Sequence, residues 1–165
     1  MFHGIIWHDK RLTVDILTEL IFLKSIKHLT IEHYLCGTGP DTKDSRHIGS
    51  SPLTGLTFGE MSMLGEKLLG KLLQYPRALE RLSCTIRCSF DTETTSFGSI
   101  SPSAIRQVLS HTNESLQELV ITERWSSRRS PDHDHTHVDL KSFSRLKKYV
   151  VPAVLFFHTH NTDPS

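Results

Sequence analysis

The sequence predicts an α/β fold: an irregular solenoid with short parallel strands on one face and helices on the other. Two observations carry the prediction. The order apolar-x-x-apolar-x-apolar recurs along the chain: Ile26, Leu29 and Ile31 in "LKSIKHLTIE", and Leu79, Leu82 and Cys84 in "RALERLSCTIRC". It returns as Leu116, Leu119 and Ile121 in "SLQELVIT" and as Leu146, Tyr149 and Val151 in "FSRLKKYVVPAV". That order is neither a helical stripe nor plain alternation, and it suits a chain that bends into a short strand beside copies of itself. The second observation is that helical spacing precedes the first three copies.

Before the first copy, Val14, Leu17 and Ile21 in "LTVDILTELIFLKS" share a helix face, with Thr13 as a plausible cap. Before the second, "FGEMSMLGEKLLGKLLQYP" places Met63, Leu64, Leu68, Leu69, Leu72 and Leu73 at helical spacing, and Pro76 closes the run. Before the third, "SPSAIRQVLSHTNES" offers Ser101 or Ser103 as N-cap, Pro102 in the first turn, and Ile105, Val108 and Leu109 on one face. A strand and an amphipathic helix cannot cover their own apolar faces, so such units must stack. The copies are 53 (26 to 79), 37 (79 to 116) and 30 (116 to 146) residues apart. These lengths lie around or above the period of helix-containing leucine-rich repeats, hence an irregular leucine-rich-repeat-like array. The 165 residues read as one domain, incomplete at both ends, with polar loops near residues 36–55 and 122–137.

Composition narrows the function classes. Nineteen Lys and Arg against 18 Asp and Glu give a net charge of +1, too balanced a field to draw nucleic acid or an anionic membrane to the surface. Cys36, Cys84 and Cys88 have neither zinc-site nor disulfide-framework spacing, which favours an intracellular setting, cytoplasmic or nuclear. The longest apolar run, "VVPAVLFF", is far too short to span a bilayer. No phosphate-cradling Gly-x-x-x-x-Gly-Lys motif, nucleophile elbow or His-Glu-x-x-His motif occurs, so no catalytic residue and no cofactor is assigned. Cys84 and Cys88, in or just beyond a strand, read as small core or semi-exposed thiols rather than nucleophiles. The sharpest chemical candidate is "DHDHTH", which sets His133, His135 and His137 at alternate positions beside Asp132 and Asp134. Alternate residues of an extended chain lie on one side, where imidazole and carboxylate can ligate a divalent ion. A solvated polar loop accounts for the same residues more simply, and no metal site is assigned.

The segments "SPSAIRQVLSHTNESLQELVIT", "LKSFSRLKKYVVPAVLF" and "LLQYPRALERLSC" together resemble the C-terminal repeat regions of fungal F-box/leucine-rich-repeat-like proteins. The resemblance covers roughly Leu56 to Phe157, and Ile26 to Ile31 more weakly. It implies a non-enzymatic protein-protein interaction module that serves as the substrate-receptor arm of a ubiquitin ligase, with ligase components among its partners. The 165 residues contain no recognisable F-box, the helical module that docks the ligase adaptor in that family.

Geometry alone proposes the binding surface. Residues flanking the inward apolar ones project from the sheet: His28, Thr30 and Glu32; Arg81, Ser83 and Thr85; Glu118, Val120 and Thr122; and Lys148 and Val150. The function expected is therefore binding of another protein through these residues, without enzymatic activity. The competing readings are a metal-dependent enzyme built on His133 to His137 and a truncated repeat remnant with no dedicated role.

Overall fold

The computed structural model describes residues 4–7, 12–32, 35–36, 47–59, 66–86, 102–123 and 140–152. In chain order these form β1 (Gly4–Trp7), β2 (Leu12–Thr13), α1 (Val14–Phe22), β3 (His28–Ile31), β4 (Leu35–Cys36), β5 (Gly55–Phe58), α2 (Glu66–Gln74), β6 (Arg81–Ile86), α3 (Pro102–Leu109), β7 (Glu118–Glu123) and β8 (Lys148–Val150). The fold is α/β. Six strands make one sheet in the order β1-β3-β5-β6-β7-β8, and every pairing in it is parallel. Strand order thus follows chain order, and each connection steps to the next place in the sheet. A short parallel pair, β2 with β4, forms a separate ladder.

The helices form where apolar residues recur at helical spacing. Leu17 and Ile21 of α1 are buried, as are Leu68, Leu69, Leu72 and Leu73 of α2. Glu66 in the first turn of α2 and Lys71 in the last both suit the helix dipole, and Pro76 prevents further helix. Pro102 stands at the first helical position of α3, where its missing N–H costs nothing. Ile105, Val108 and Leu109 of α3 are buried, and α2 approaches closely enough that a methyl group at Gly70 would stand 3.4 Å from Val108 Cγ2. Met63 and Leu64 lie outside the described residues.

Alternate strand residues join these helices in one core. Leu29 and Ile31, Leu56 and Phe58, Leu82 and Cys84, and Leu119 and Ile121 are buried together with the apolar faces of α1, α2 and α3. The helices therefore cover one face of the sheet, and the residues between those buried positions form the other face.

The same hydrogen-bond arrangement opens each strand from β5 onward. The carbonyl of Lys27 accepts from the N–H groups of both Thr54 and Gly55, that of Thr54 from Glu80 and Arg81, that of Glu80 from Gln117 and Glu118, and that of Gln117 from Lys147 and Lys148. One position is thus repeated strand after strand.

Three expectations are corrected. Residues 47–55 are not a polar excursion: Ser51 and Leu53 are buried, Gly55 begins β5, and Phe22, His47 and Tyr75 pack ring to ring with centroids 4.9 and 5.2 Å apart. The 53-residue gap is consequently two steps, 27 (28 to 55) and 26 (55 to 81), matching 24 (4 to 28) before it. Residues 122 and 123 belong to β7 rather than to a loop; 124–137 fall outside the described residues. Finally, Tyr149 was expected to be buried like its register partner Leu119, yet it is 59% exposed on the outermost strand, with Leu146 and Val151 half-buried. A side chain on an edge strand is packed from one side only.

Candidate functional site: the open face of the parallel sheet

Parallel pairing in constant register turns isolated residues into rows. Gly4, His28, Gly55, Arg81, Glu118 and Lys148 stand side by side across the strand starts. Ile6, Thr30, Thr57, Ser83, Val120 and Val150 form the next outward row. Beyond it come Glu32 and Gly59, just past β3 and β5, and the paired Thr85 and Thr122. Every residue proposed from sequence for the binding surface therefore lies on one contiguous face. Glu32, Arg81, Thr122 and Lys148 are exposed, and His28, Thr30, Ser83, Thr85, Glu118 and Val120 are partly so.

Sequence reasoning missed Ile6, Gly55, Thr57 and Gly59. The signal was present in "LTGLTF", where Leu53, Leu56 and Phe58 repeat the apolar-x-x-apolar-x-apolar order, and in "FHGIIW", where Phe2, Ile5 and Trp7 do so. The glycines and threonines at the outward positions gave β5 the composition of a turn.

Gly55 is required by its neighbour. The His28 ring lies over it, so that a methyl group there would meet Nδ1 at 2.3 Å. His28 is held below the ordinary histidine range, chiefly by desolvation and then by the Arg81 guanidinium, with Glu80 opposing. Above the ordinary histidine pKa this group's contribution to stability is fully present; as pH falls below it, the unfolded chain takes up the proton more readily and stability declines. His28→Gln is expected to flatten that part of the stability-versus-pH curve measured by urea unfolding. An unchanged slope would remove His28 as its source.

Further along the rows, Lys148 Nζ donates to Glu118 Oε1 in an ion pair. Both groups meet solvent, so the pair contributes at most about 1 kcal/mol and its main effect is to neutralise Glu118 locally. Thr85 and Thr122 share a hydroxyl hydrogen bond of 2.7 Å. On the helix-covered side, burial pushes the Cys84 thiol up to about 12. A thiol in that state is a packing group. In a Cys36→Ser/Cys88→Ser background, Cys84 is expected to react with a disulfide reagent no faster than the protein unfolds; labelling at the rate of a free thiol would contradict its placement.

The His133–His137 cluster with its flanking aspartates, and Cys88, lie outside the described residues. Among the described residues, no group of three or more His, Cys, Asp or Glu side chains is placed to hold a metal ion. No helix among them is long and apolar enough to cross a membrane. No protein-family model, curated protein or solved structure matches this chain.

Proposed function

We propose that the chain is a non-enzymatic protein-interaction module of leucine-rich-repeat type, a solenoid that binds another protein through the open face of its parallel sheet. The observation that carries this reading is the register. It gathers His28, Arg81, Glu118 and Lys148 into one row, and Thr30, Ser83 and Val120 into the next, on the face that the helices leave uncovered. Mixed charge, hydroxyls and a few apolar side chains on a rigid sheet suit recognition of a protein surface, whose polar and apolar groups alternate over similar distances. The near-uniform steps through β1, β3, β5 and β6 are those of a helix-containing repeat. The resemblance to fungal F-box/leucine-rich-repeat-like proteins extends the proposal to a substrate-receptor role in a ubiquitin ligase.

The test compares partners retained by three tagged forms of the chain. The unaltered chain and a helix-side control, Lys67→Glu/Arg106→Glu, are expected to retain the same specific protein. Glu32→Lys/Arg81→Glu/Glu118→Lys is expected to lose it while keeping its thermal unfolding transition. Retention by the triple variant, or loss in the helix-side control alone, would overturn the assignment of this face. Co-capture of the cullin-ligase adaptor would support the ligase extension.

A further inference from the structure

We propose that the two ends of the sheet recognise each other, so that copies of this chain join head to tail, β8 of one copy pairing in parallel with β1 of the next. The backbone supplies the first reason. The carbonyls of Lys27, Thr54, Glu80 and Gln117 each accept from the N–H group that opens the following strand, that of Gly55, Arg81, Glu118 or Lys148. The carbonyl of Lys147 is next in this series and has no strand beyond it among the described residues. At the opposite edge Gly4 holds the place of those strand-opening residues, in register with His28, and no described strand precedes it. Each edge thus offers the half of the join that the other lacks, and a second copy completes it with the direction and spacing of every pairing already in the sheet.

The side chains supply the second reason. In the outward row Ile6, Thr30, Thr57, Ser83, Val120 and Val150, apolar residues stand at both ends, Ile6 58% and Val150 51% exposed. Continuing the register from β8 to β1 of a second copy sets Val150 beside Ile6, Tyr149 beside Ile5 and Lys148 beside Gly4. The first of these pairs takes two apolar side chains out of water, and the last gives the lysine stem a neighbour with no side chain to meet. Edge strands are ordinarily guarded by lysine, proline or a covering segment. "GIIW" contains neither lysine nor proline, and both Gly4 and Ile6 are exposed. On β8 the lysines turn back over β7: Lys147 Nζ donates to Gln117 Oε1 at 3.2 Å and Lys148 Nζ to Glu118 Oε1. Pairing β8 with another β8 would run antiparallel and bring the lysines of both copies together, whereas β1 meets them with no charge. The uncharged edge is the complementary one.

Such a contact is heterologous and does not close on two copies, so the array lengthens as concentration rises. Sedimentation velocity of the full 165-residue chain over a concentration series is expected to show the mass climbing past that of a dimer. Ile6→Lys and Val150→Lys should each stay monomeric throughout, the first lacking a working β1 edge and the second a working β8 edge. Both residues are more than half exposed, so each variant should keep the thermal unfolding transition of the unaltered chain. Mixed, the two variants should form a two-chain complex and nothing longer, because only β8 of the Ile6→Lys copy and β1 of the Val150→Lys copy remain able to pair. Ser83→Lys, in the middle of the same row, should assemble like the unaltered chain. An unaltered chain that is monomeric at every concentration would overturn the proposal, as would a mixture that stays monomeric. Association of Ile6→Lys alone would show β8 joined to β8 instead, and loss of assembly in Ser83→Lys would move the contact to the open face; either result sinks the head-to-tail join. That join leaves the middle of the open face uncovered, so its failure does not touch the protein partner proposed for that face, nor the reverse.

Discussion

Phe58→Ala is expected to lower the free energy of unfolding by about 3–5 kcal/mol. Phe58 is 1% exposed and is among the largest fully buried side chains of the core. It lies in register with Ile31 on one side and Cys84 on the other, both buried, so removing its ring leaves a cavity that the paired strands cannot close without breaking their ladders. Against a typical total stability of about 5–15 kcal/mol, such a loss brings the chain close to unfolding at ambient temperature. Thr57→Ala, one residue away and on the open face, is the matched control and should change stability by no more than about 0.5 kcal/mol. Urea unfolding followed by circular dichroism measures both. Comparable, small effects for the two substitutions would mean that "LTGLTF" is the polar connection its composition suggests and that β5 does not bury one face.

Ser51→Ala removes far fewer atoms, yet about 2 kcal/mol is expected. Ser51 is 1% exposed. Its Oγ donates to the carbonyl of Ile21 at 2.6 Å and accepts from the N–H of Leu53 at 3.3 Å. The Ile21 carbonyl belongs to the last turn of α1, where no helical N–H remains to satisfy it. The backbone of the same residue joins the next unit: its N–H donates to Tyr75 and its carbonyl accepts from Arg77. Ser51 thus links the end of α1, the approach to β5 and the end of α2. Alanine leaves a buried carbonyl and a buried N–H without their partner. Ser50→Ala, whose hydroxyl bonds the His47 carbonyl at an exposed turn, should fall within about 0.5 kcal/mol of the unaltered chain. A Ser51→Ala effect no larger than that of Ser50→Ala would show that the buried hydroxyl bonds add nothing to stability.

The parts of this fold that were legible from the chain alone are those whose signal is local. Leu68, Leu69, Leu72 and Leu73 announce α2 because helical geometry brings them onto one face whatever lies opposite. Leu82 with Cys84 and Leu119 with Ile121 announce the inward sides of β6 and β7, and period-two alternation then assigns Arg81, Ser83, Thr85, Glu118, Val120 and Thr122 to the open face. β1 and β5 carry the same apolar order, but recognising them as strands required the tertiary structure. "GIIW" has no helical pattern before it, and "GLTF" offers glycine and threonine outward, so each is a strand because neighbouring strands pair with it; β5 is held by β3 and β6 at every position. Pairing also decided what each outward residue meets: His28 over Gly55, Arg81 across from both, and Glu118 against Lys148. It decided, too, that Tyr149 is largely exposed although its pattern is that of a core residue. Periodicity determines which way a side chain points along its own element. Burial and charge compensation depend on residues 24 to 37 positions away that only strand pairing brings alongside.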